Sequence, residues 1–114
     1  MQYALLIYTQ ESVDSQQTPQ EQQAVMAAYL AFGERFKDQI AGGEALHPTT
    51  AATTVRVRDG KTLATDGPFA ETKEQLGGYY LVNAKDLDEA TQIAAQIPGA
   101  ANGCIEVRPV MAFD

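Results

Sequence analysis

Residues 53–82 read TTVRVRDGKTLATDGPFAETKEQLGGYYLV, and the patterns within this stretch decide the fold. It begins with alternating apolar and polar residues around Asp59-Gly60, a pair that favours tight turns, which predicts a β-hairpin over residues 53–65. It ends in GGYYLV, where both alternating sets are apolar, as in a central strand covered on both faces. The polar connector between them, residues 66–78, is long for a small domain, and such connectors are usually functional or disordered.

The sequence before this stretch predicts a second central strand and a long helix. Residues 3–8, YALLIY, form a wholly apolar run. Thr18-Pro19-Gln20-Glu21 supplies an N-cap, a proline at the first helical position and a glutamate that closes a capping box, so we expect a helix from about residue 19 to about residue 41. Gly42-Gly43 is interpreted as the left-handed glycine C-cap that ends this helix. Residues 45–47 are interpreted as a short strand. The apolar stripe of this helix is Val25, Tyr29, Phe32, Phe36 and Ile40.

The sequence after the connector predicts one helix and one edge strand. Asp86 with Glu89 repeats the capping pattern, and Pro98-Gly99 ends the helix. The last strand, CIEVRPV, alternates and contains a proline, which is typical of a sheet edge. The inner stripe of the helix is Leu87, Ala90, Ile93, Ala94 and Ile97.

The order of these elements defines one domain over residues 1–114. It reduces to β-α-β-β-α-β with an extra hairpin, which is the ferredoxin-like pattern of an α+β fold. Two helices cover one face of such a sheet, whereas both faces of the central strands are apolar. We therefore expect a second copy to cover the other face, giving a homodimeric α+β barrel.

Composition narrows the class of function. The net charge is −7, which disfavours binding to nucleic acid or to an anionic membrane. Cys104 is the single cysteine, so neither an internal disulfide nor a cysteine-based zinc site is expected. One histidine and scattered carboxylates offer no metal-ligand spacing, and Gly77-Gly78 lacks the continuation of a phosphate loop, so no metal or cofactor is predicted. With neither a signal peptide nor an apolar run of spanning length, the sequence predicts a soluble, cytoplasmic protein.

The stretch around Asp66-Gly67-Pro68-Phe69 resembles the signature of the DGPF subgroup of the YCII-related proteins. The resemblance includes Ala70-Glu71, Lys73-Glu74 and Leu76-Gly77-Gly78, and it extends to DLDEATQIAAQIPGA and to the ending EVRPV, so that it spans nearly the whole chain. It implies a bacterial protein with a ferredoxin-like, dimeric α+β barrel fold. Some relatives resemble small-ring isomerases or dehydrochlorinases, and DGPF members are often associated with extracytoplasmic-function sigma factors.

Two functional hypotheses follow from this resemblance. The first is a small-molecule pocket near the DGPF connector, with metal-free proton-transfer chemistry of an isomerase or lyase type. The second is a non-enzymatic accessory protein that binds a sigma factor. Whether the protein is an enzyme stays open at this point.

Asp66 and His47 are the candidate catalytic residues. YCII proteins in general are proposed to pair a first-helix histidine with a downstream aspartate; Asp66 resembles that aspartate, but Tyr29 occupies the position of the histidine. His47 is the only histidine and the one side chain whose unperturbed pKa lies near neutrality, so it is the alternative proton carrier. The simpler interpretations are a turn aspartate before Gly67-Pro68 and a surface histidine beside Pro48.

Four further residues are candidates for substrate binding: Phe69, Glu71, Lys73 and Tyr79. Lys73 would hold an anionic group as a point charge, and Glu71 would line the mouth of a pocket. The alternative for both is a solvated turn. Phe69 is expected either to insert into the core as an anchor or to line a cavity. Tyr79 and its neighbour Tyr80 must point to opposite faces of their strand.

Overall fold

The structure is a computed structural model that describes residues 1–113. Over this range the main sheet has the strand order β2-β5-β1-β6, and all its pairings are antiparallel. This is the arrangement of the β-α-β-β-α-β pattern, so the predicted ferredoxin-like α+β fold class is confirmed. The elements are β1 (Gln2–Thr9), α1 (Glu11–Asp14), α2 (Pro19–Arg35), β2 (Ile40–Ala45), β3 (Thr53–Arg58), β4 (Lys61–Asp66), β5 (Gln75–Asn83), α3 (Leu87–Ala95) and β6 (Cys104–Pro109), with short 3-10 helices at Thr49–Ala51 and Pro98–Ala100.

The core lies between the helices and one face of the main sheet. Alternate residues of β1 point into it, because successive side chains of a strand face opposite sides. From α2, the ring of Phe32 packs between Phe36 and Tyr80, with ring centroids 5.0 Å from each. The buried residues are Tyr3, Leu5, Ile7, Phe32, Val82, Ala84, Ala90, Ile93, Ala94 and Ile97.

The other face of the main sheet is not covered by any element of the described chain. The register places Leu6 between Tyr79 on β5 and Glu106 on β6, and it places Ala4 beside Leu81. The molecule is 19 Å thick along its shortest axis. Since packed layers lie about 10 Å apart, this thickness fits one layer of helices on one sheet.

The two main helices begin where the sequence predicts. The Thr18 hydroxyl accepts from the Glu21 N–H at 3.1 Å, and the Glu21 carboxylate accepts from the Thr18 N–H at 3.1 Å, which completes the capping box. Asp86 likewise accepts from the Glu89 N–H at 2.9 Å. Four residues of the predicted inner stripe of α3 are buried, but Leu87 is 54% exposed and its assignment to that stripe is wrong.

The prediction of a helix to residue 41 is wrong, because α2 ends at Arg35 and β2 begins at Ile40. The strand expected at residues 45–47 instead runs over Ile40–Ala45, where pairing with β5 brings Ile40 beside Val82 of the core. Gly42-Gly43 is therefore part of an edge strand rather than a helix stop. Residues 11–14 form the single turn of α1.

The predicted hairpin is present as β3 and β4, which form a separate two-stranded sheet. Asp59 and Gly60 have φ values of 51° and 75°, the left-handed pair that a tight primed turn requires. Both faces of the hairpin are exposed to solvent. Among residues 1–113, no helix combines the length and the apolar character needed to cross a membrane.

Candidate functional site

A cavity with a volume of about 710 Å³ lies between α2 and the main sheet. We call it the helix–sheet cleft. Its volume falls in the range typical of small-molecule sites, about 300–1,000 Å³. The side chains that matter for its chemistry are Thr9, Asp14, Gln17, Tyr29, Tyr80 and Asn102, and its walls include backbone of Gly43, Gly77, Gly78 and Gly99.

Tyr29 projects into this cleft from the inner stripe of α2, one turn before Phe32. Its ring packs against the core. Burial raises the pKa of Tyr29 above its ordinary value of 10.0; the backbone of Gly99 lowers this pKa, while the nearby groups Tyr80 and Asp14 raise it further. The hydroxyl is therefore protonated at neutral pH and is available as a donor.

Asp14 reaches the same cleft from the end of α1. The Thr9 hydroxyl at the end of β1 donates to the Asp14 carboxylate at 2.7 Å. The turn of α1 is itself attached to the domain through Glu11, whose carboxylate accepts from the N–H and the hydroxyl of Thr49 at 2.8 and 2.7 Å. These contacts fix where the carboxylate of Asp14 points.

Tyr80 forms the sheet side of the cleft. Burial raises the pKa of its phenol as well. Strand alternation places Tyr80 on the helix face, in contact with Phe32, and Tyr79 on the uncovered face beside Leu6 and Glu44. Tyr79 belongs to the strand that borders the cleft. Its ring nevertheless lies on the uncovered face of the sheet, because side chains alternate along a strand.

The lining of the cleft contains hydrogen-bond donors and acceptors and the two acidic residues Asp14 and Glu44, but no lysine, arginine or histidine. A ligand anion would meet Asp14 without a compensating cation, which disfavours it. A ligand that donates hydrogen bonds would find the Asp14 carboxylate and the amides of Gln17 and Asn102. The described residues 1–113 contain no group of three His, Cys, Asp or Glu side chains arranged to hold a metal ion.

Asp66 and His47 lie outside the helix–sheet cleft. Asp66 is the last residue of β4 and pairs with Thr53, while His47 follows β2, and both are exposed. In the part of the chain that the structure describes, no hydrogen bond joins the two side chains. Their catalytic role stays a prediction.

The connector carries the predicted binding residues Phe69, Glu71 and Lys73, all exposed and none lining the cleft. Phe69 is 80% exposed, so the expectation that it anchors the connector in the core is wrong. The end of the connector does reach the cleft, at Gly77 and Gly78, and Tyr79 borders it.

Sequence reasoning missed Asp14 and did not assign Tyr29 a chemical role. Asp14 lies in a segment that reads as polar loop, and Tyr29 reads as one member of an apolar stripe. The signal that points to Tyr29 is the resemblance to YCII proteins described above, which implies that Tyr29 takes the position of a first-helix histidine. The pairing of Asp14 with Thr9 arises only when α1 folds back on β1.

A smaller depression of about 450 Å³ lies on the uncovered side of the sheet. The connector borders it, and the Cys104 sulfur lies 3.8 Å from the Glu74 carboxylate there. It is lined by Tyr8, Thr72, Glu74, Cys104, Glu106 and Arg108.

A four-stranded antiparallel sheet with helices on one face and a cleft between the layers defines the class of ferredoxin-like α+β domains. The model of the YCII-related domain family matches residues 1–114, and the chain belongs to that family. Membership of the DGPF subgroup stays a prediction.

Two known proteins resemble the chain over nearly its whole length. An uncharacterised protein of Rhizobium meliloti (strain 1021) is 41% identical over 117 residues, which cover 99% of this chain and 94% of that protein. Among solved structures, 5-chloro-2-hydroxyhydroquinone dehydrochlorinase (TftG) from Burkholderia phenoliruptrix AC1100, in complex with 2,5-dihydroxybenzoquinone, has a TM-score of 0.56 at 17% identity, covering 97% of this chain and 94% of that one. At this identity the likeness concerns the fold.

Proposed function

We propose that the protein binds a small, uncharged, hydroxyl-bearing ring compound in the helix–sheet cleft and transfers protons on it, as an isomerase or a lyase does. The observation that carries the proposal is the meeting of Asp14 and Tyr29 in one cleft of about 710 Å³. The name of the neighbouring dehydrochlorinase, a lyase-type activity, and its ring-shaped ligand support the same class of chemistry.

In this proposal Asp14 is the base and Tyr29 is the hydrogen-bond donor. The Asp14 carboxylate removes a proton from a carbon next to a carbonyl group, and the electron pair moves onto the carbonyl oxygen. The Tyr29 hydroxyl donates to that oxygen as its charge develops. Return of the proton to another carbon completes an isomerisation, whereas departure of a group with its electron pair from the adjacent carbon completes an elimination.

The test is exchange of a ligand proton for deuterium in D₂O, measured by NMR with 4-hydroxycyclohexanone and related uncharged hydroxyl-bearing cyclic ketones, whose uncatalysed exchange at neutral pH is slow. Asp14→Asn should abolish enzyme-dependent exchange, and Tyr29→Phe should slow it by about 10²–10³-fold, as for loss of an oxyanion donor. A parallel binding assay compares hydroquinone with benzoate. Preferred binding of the anion, or unchanged exchange in Asp14→Asn, would refute the proposal.

The same assay tests the residues predicted from the sequence. Asp66→Asn and His47→Gln change one candidate each, and both positions are exposed, so the variants should fold. We expect them to retain exchange if the helix–sheet cleft is the catalytic site. Loss of exchange in Asp66→Asn with retention in Asp14→Asn would transfer the chemistry to the DGPF connector.

We also propose that the protein is a homodimer packed through the uncovered face of the main sheet. The apolar residues on that face include Ala4, Leu6 and Leu81. Complete burial of a large apolar side chain such as leucine stabilises an interface by about 1.5–3 kcal/mol. Size-exclusion chromatography with light scattering measures the mass. A species of 12.3 kDa at micromolar concentration would exclude the dimer, and Leu6→Glu should produce that monomer from it.

The accessory role is the second candidate, favoured by the outer surface of α2. Met26 and Leu30 are exposed there on a strongly acidic chain, a combination that suits a partner with an apolar and basic groove. Both proposals place the protein in the cytoplasm, because the exposed free thiol of Cys104 suits a reducing compartment. Pull-down with the purified sigma factor tests this role: Met26→Ser/Leu30→Ser should abolish capture, and absence of capture by the unmodified protein excludes it.

A further inference from the structure

The hairpin formed by β3 and β4 is an arm that no other element of residues 1–113 covers. We define the arm as residues 53–66. Its two strands pair only with each other, and every strand residue except Thr54 is exposed. The radius of gyration is 16.1 Å. A compact domain of this length would have about 13 Å, so the chain is extended as well as flat.

One face of the arm is apolar. Val55 pairs with Ala64 and Val57 pairs with Thr62, so these four side chains share a face. The two valines are 60% and 59% exposed. An isolated two-stranded hairpin is marginally stable in water at best, and it needs a hydrophobic face packed on something else.

The other face of the arm carries three basic side chains around Leu63, which pairs with Arg56. Arg56, Arg58 and Lys61 lie there, and within residues 1–113 none of them forms an ion pair. With Asp59 and Asp66 the arm has a net charge of +1, whereas the whole chain has −7, so the remainder carries −8. An arm of this charge is complementary to the body from which it projects.

We propose that the arm of one copy packs on the body of a second copy, with Val55 and Val57 buried and the three cations close to its carboxylates. The occupant is a second copy because the acidic surface that matches the arm is present on the chain itself. The dimer then holds two arms related by symmetry, each of which the partner stabilises. This inference rests on the homodimer proposed above, and it adds a second contact to the one through the sheet.

The first test compares dimer dissociation constants from analytical ultracentrifugation. Val55→Ser/Val57→Ser should raise the dissociation constant by roughly tenfold or more, since it removes two apolar side chains from the contact. Val13→Ser is the matched control, because Val13 is a similarly exposed valine outside the arm, at 54%, and it should change the constant less than about twofold. Arg56→Glu/Arg58→Glu should weaken the dimer more at low salt than at high salt.

The outcomes separate this inference from the proposed dimer. If the unmodified protein is a monomer, both fail. If it is a dimer that Leu6→Glu dissociates while all arm variants match the control, the sheet contact stands and the arm inference is overturned. Weaker dimers in both arm variants, with an unaffected Val13→Ser, support it.

The second test locates the contact directly and does not depend on affinity. Val57→Cys in a Cys104→Ser background is labelled with a benzophenone maleimide, mixed with isotope-labelled chain and irradiated. We expect cross-links between light and heavy chains, mapped by mass spectrometry from the arm to the body. Gln22→Cys on the exposed side of α2 is the control and should give none. Cross-links confined to single chains would overturn the inference.

Discussion

Gly43→Ala is the substitution whose cost the structure allows us to work out most fully. Gly43 lies on β2 with φ at +151°, a backbone conformation that residues with a side chain rarely adopt. A Cβ atom there would lie 2.5 Å from the carbonyl oxygen of Tyr79 and 3.0 Å from the Cα of Tyr80. Both neighbours are backbone atoms of β5, and so neither can rotate away as a side chain would.

Two costs add up in this variant. Holding alanine in a sparsely populated backbone region costs about 1–3 kcal/mol. Overpacking against fixed atoms costs about 1–3 kcal/mol more, unless β2 moves away from β5. We therefore expect the free energy of unfolding to fall by about 2–6 kcal/mol, a large part of the stability of a small domain, about 5–15 kcal/mol.

The measurement is urea denaturation followed by circular dichroism, with Gly42→Ala as the matched control. A Cβ atom on Gly42 would meet only the Leu81 Cδ1, at an ordinary 3.9 Å. Gly42→Ala should therefore change the unfolding free energy by less than about 1 kcal/mol, since the stiffer unfolded chain acts in favour of the folded state. Equal urea midpoints for the two variants would refute the close approach of Gly43 on β2 to the backbone of β5.

Three further predictions concern the core, the cap and the cleft. Phe32→Ala should lower the unfolding free energy by about 3–5 kcal/mol, because it empties the space between Phe36 and Tyr80, and a urea midpoint close to that of the unmodified protein would contradict this. Thr18→Ala should cost about 1 kcal/mol through loss of the capping bond, whereas Thr18→Ser should restore it. The pKa of Tyr29 is raised in the folded state, so its contribution to stability is complete below the ordinary value of 10.0 and is lost as pH rises towards the folded pKa. Tyr29→Phe should make the alkaline loss of stability shallower in urea titrations at several pH values, and superimposable curves would refute the assignment.

Local patterns were enough to predict most of the fold. The Thr18 capping box, the Asp59-Gly60 turn and the apolar runs of β1 and β5 act within a few residues, and each is present as predicted. The boundary after α2 could not be predicted in this way. Gly42-Gly43 reads as a helix stop, but in the structure this segment pairs with β5, and the geometry of Gly43 depends on Tyr79 and Tyr80, which are distant in the sequence.

The site was harder to predict than the fold because its residues come from separate elements. Asp14 enters the cleft only because α1 folds back so that Thr9 can donate to it, and Tyr29 meets it from α2. Local sequence favoured Asp66 and His47, which stand out by motif and by rarity. Neither property places a side chain in a cavity, since a cavity is formed by tertiary packing.

The glycines explain why a cleft exists in so small a domain. Gly43, Gly77, Gly78 and Gly99 all line it. A Cβ atom on Gly78 would lie 2.9 Å from the backbone oxygen of Glu44, and one on Gly99 would lie 2.9 Å from both Ile7 and the Tyr29 hydroxyl. At Gly78 the wall is therefore closely packed backbone, and at Gly99 the lack of a side chain lets Ile7 and Tyr29 pack directly against the backbone. A cleft with such walls keeps its shape before a ligand arrives, and this lowers the cost of positioning the ligand against Asp14 and Tyr29.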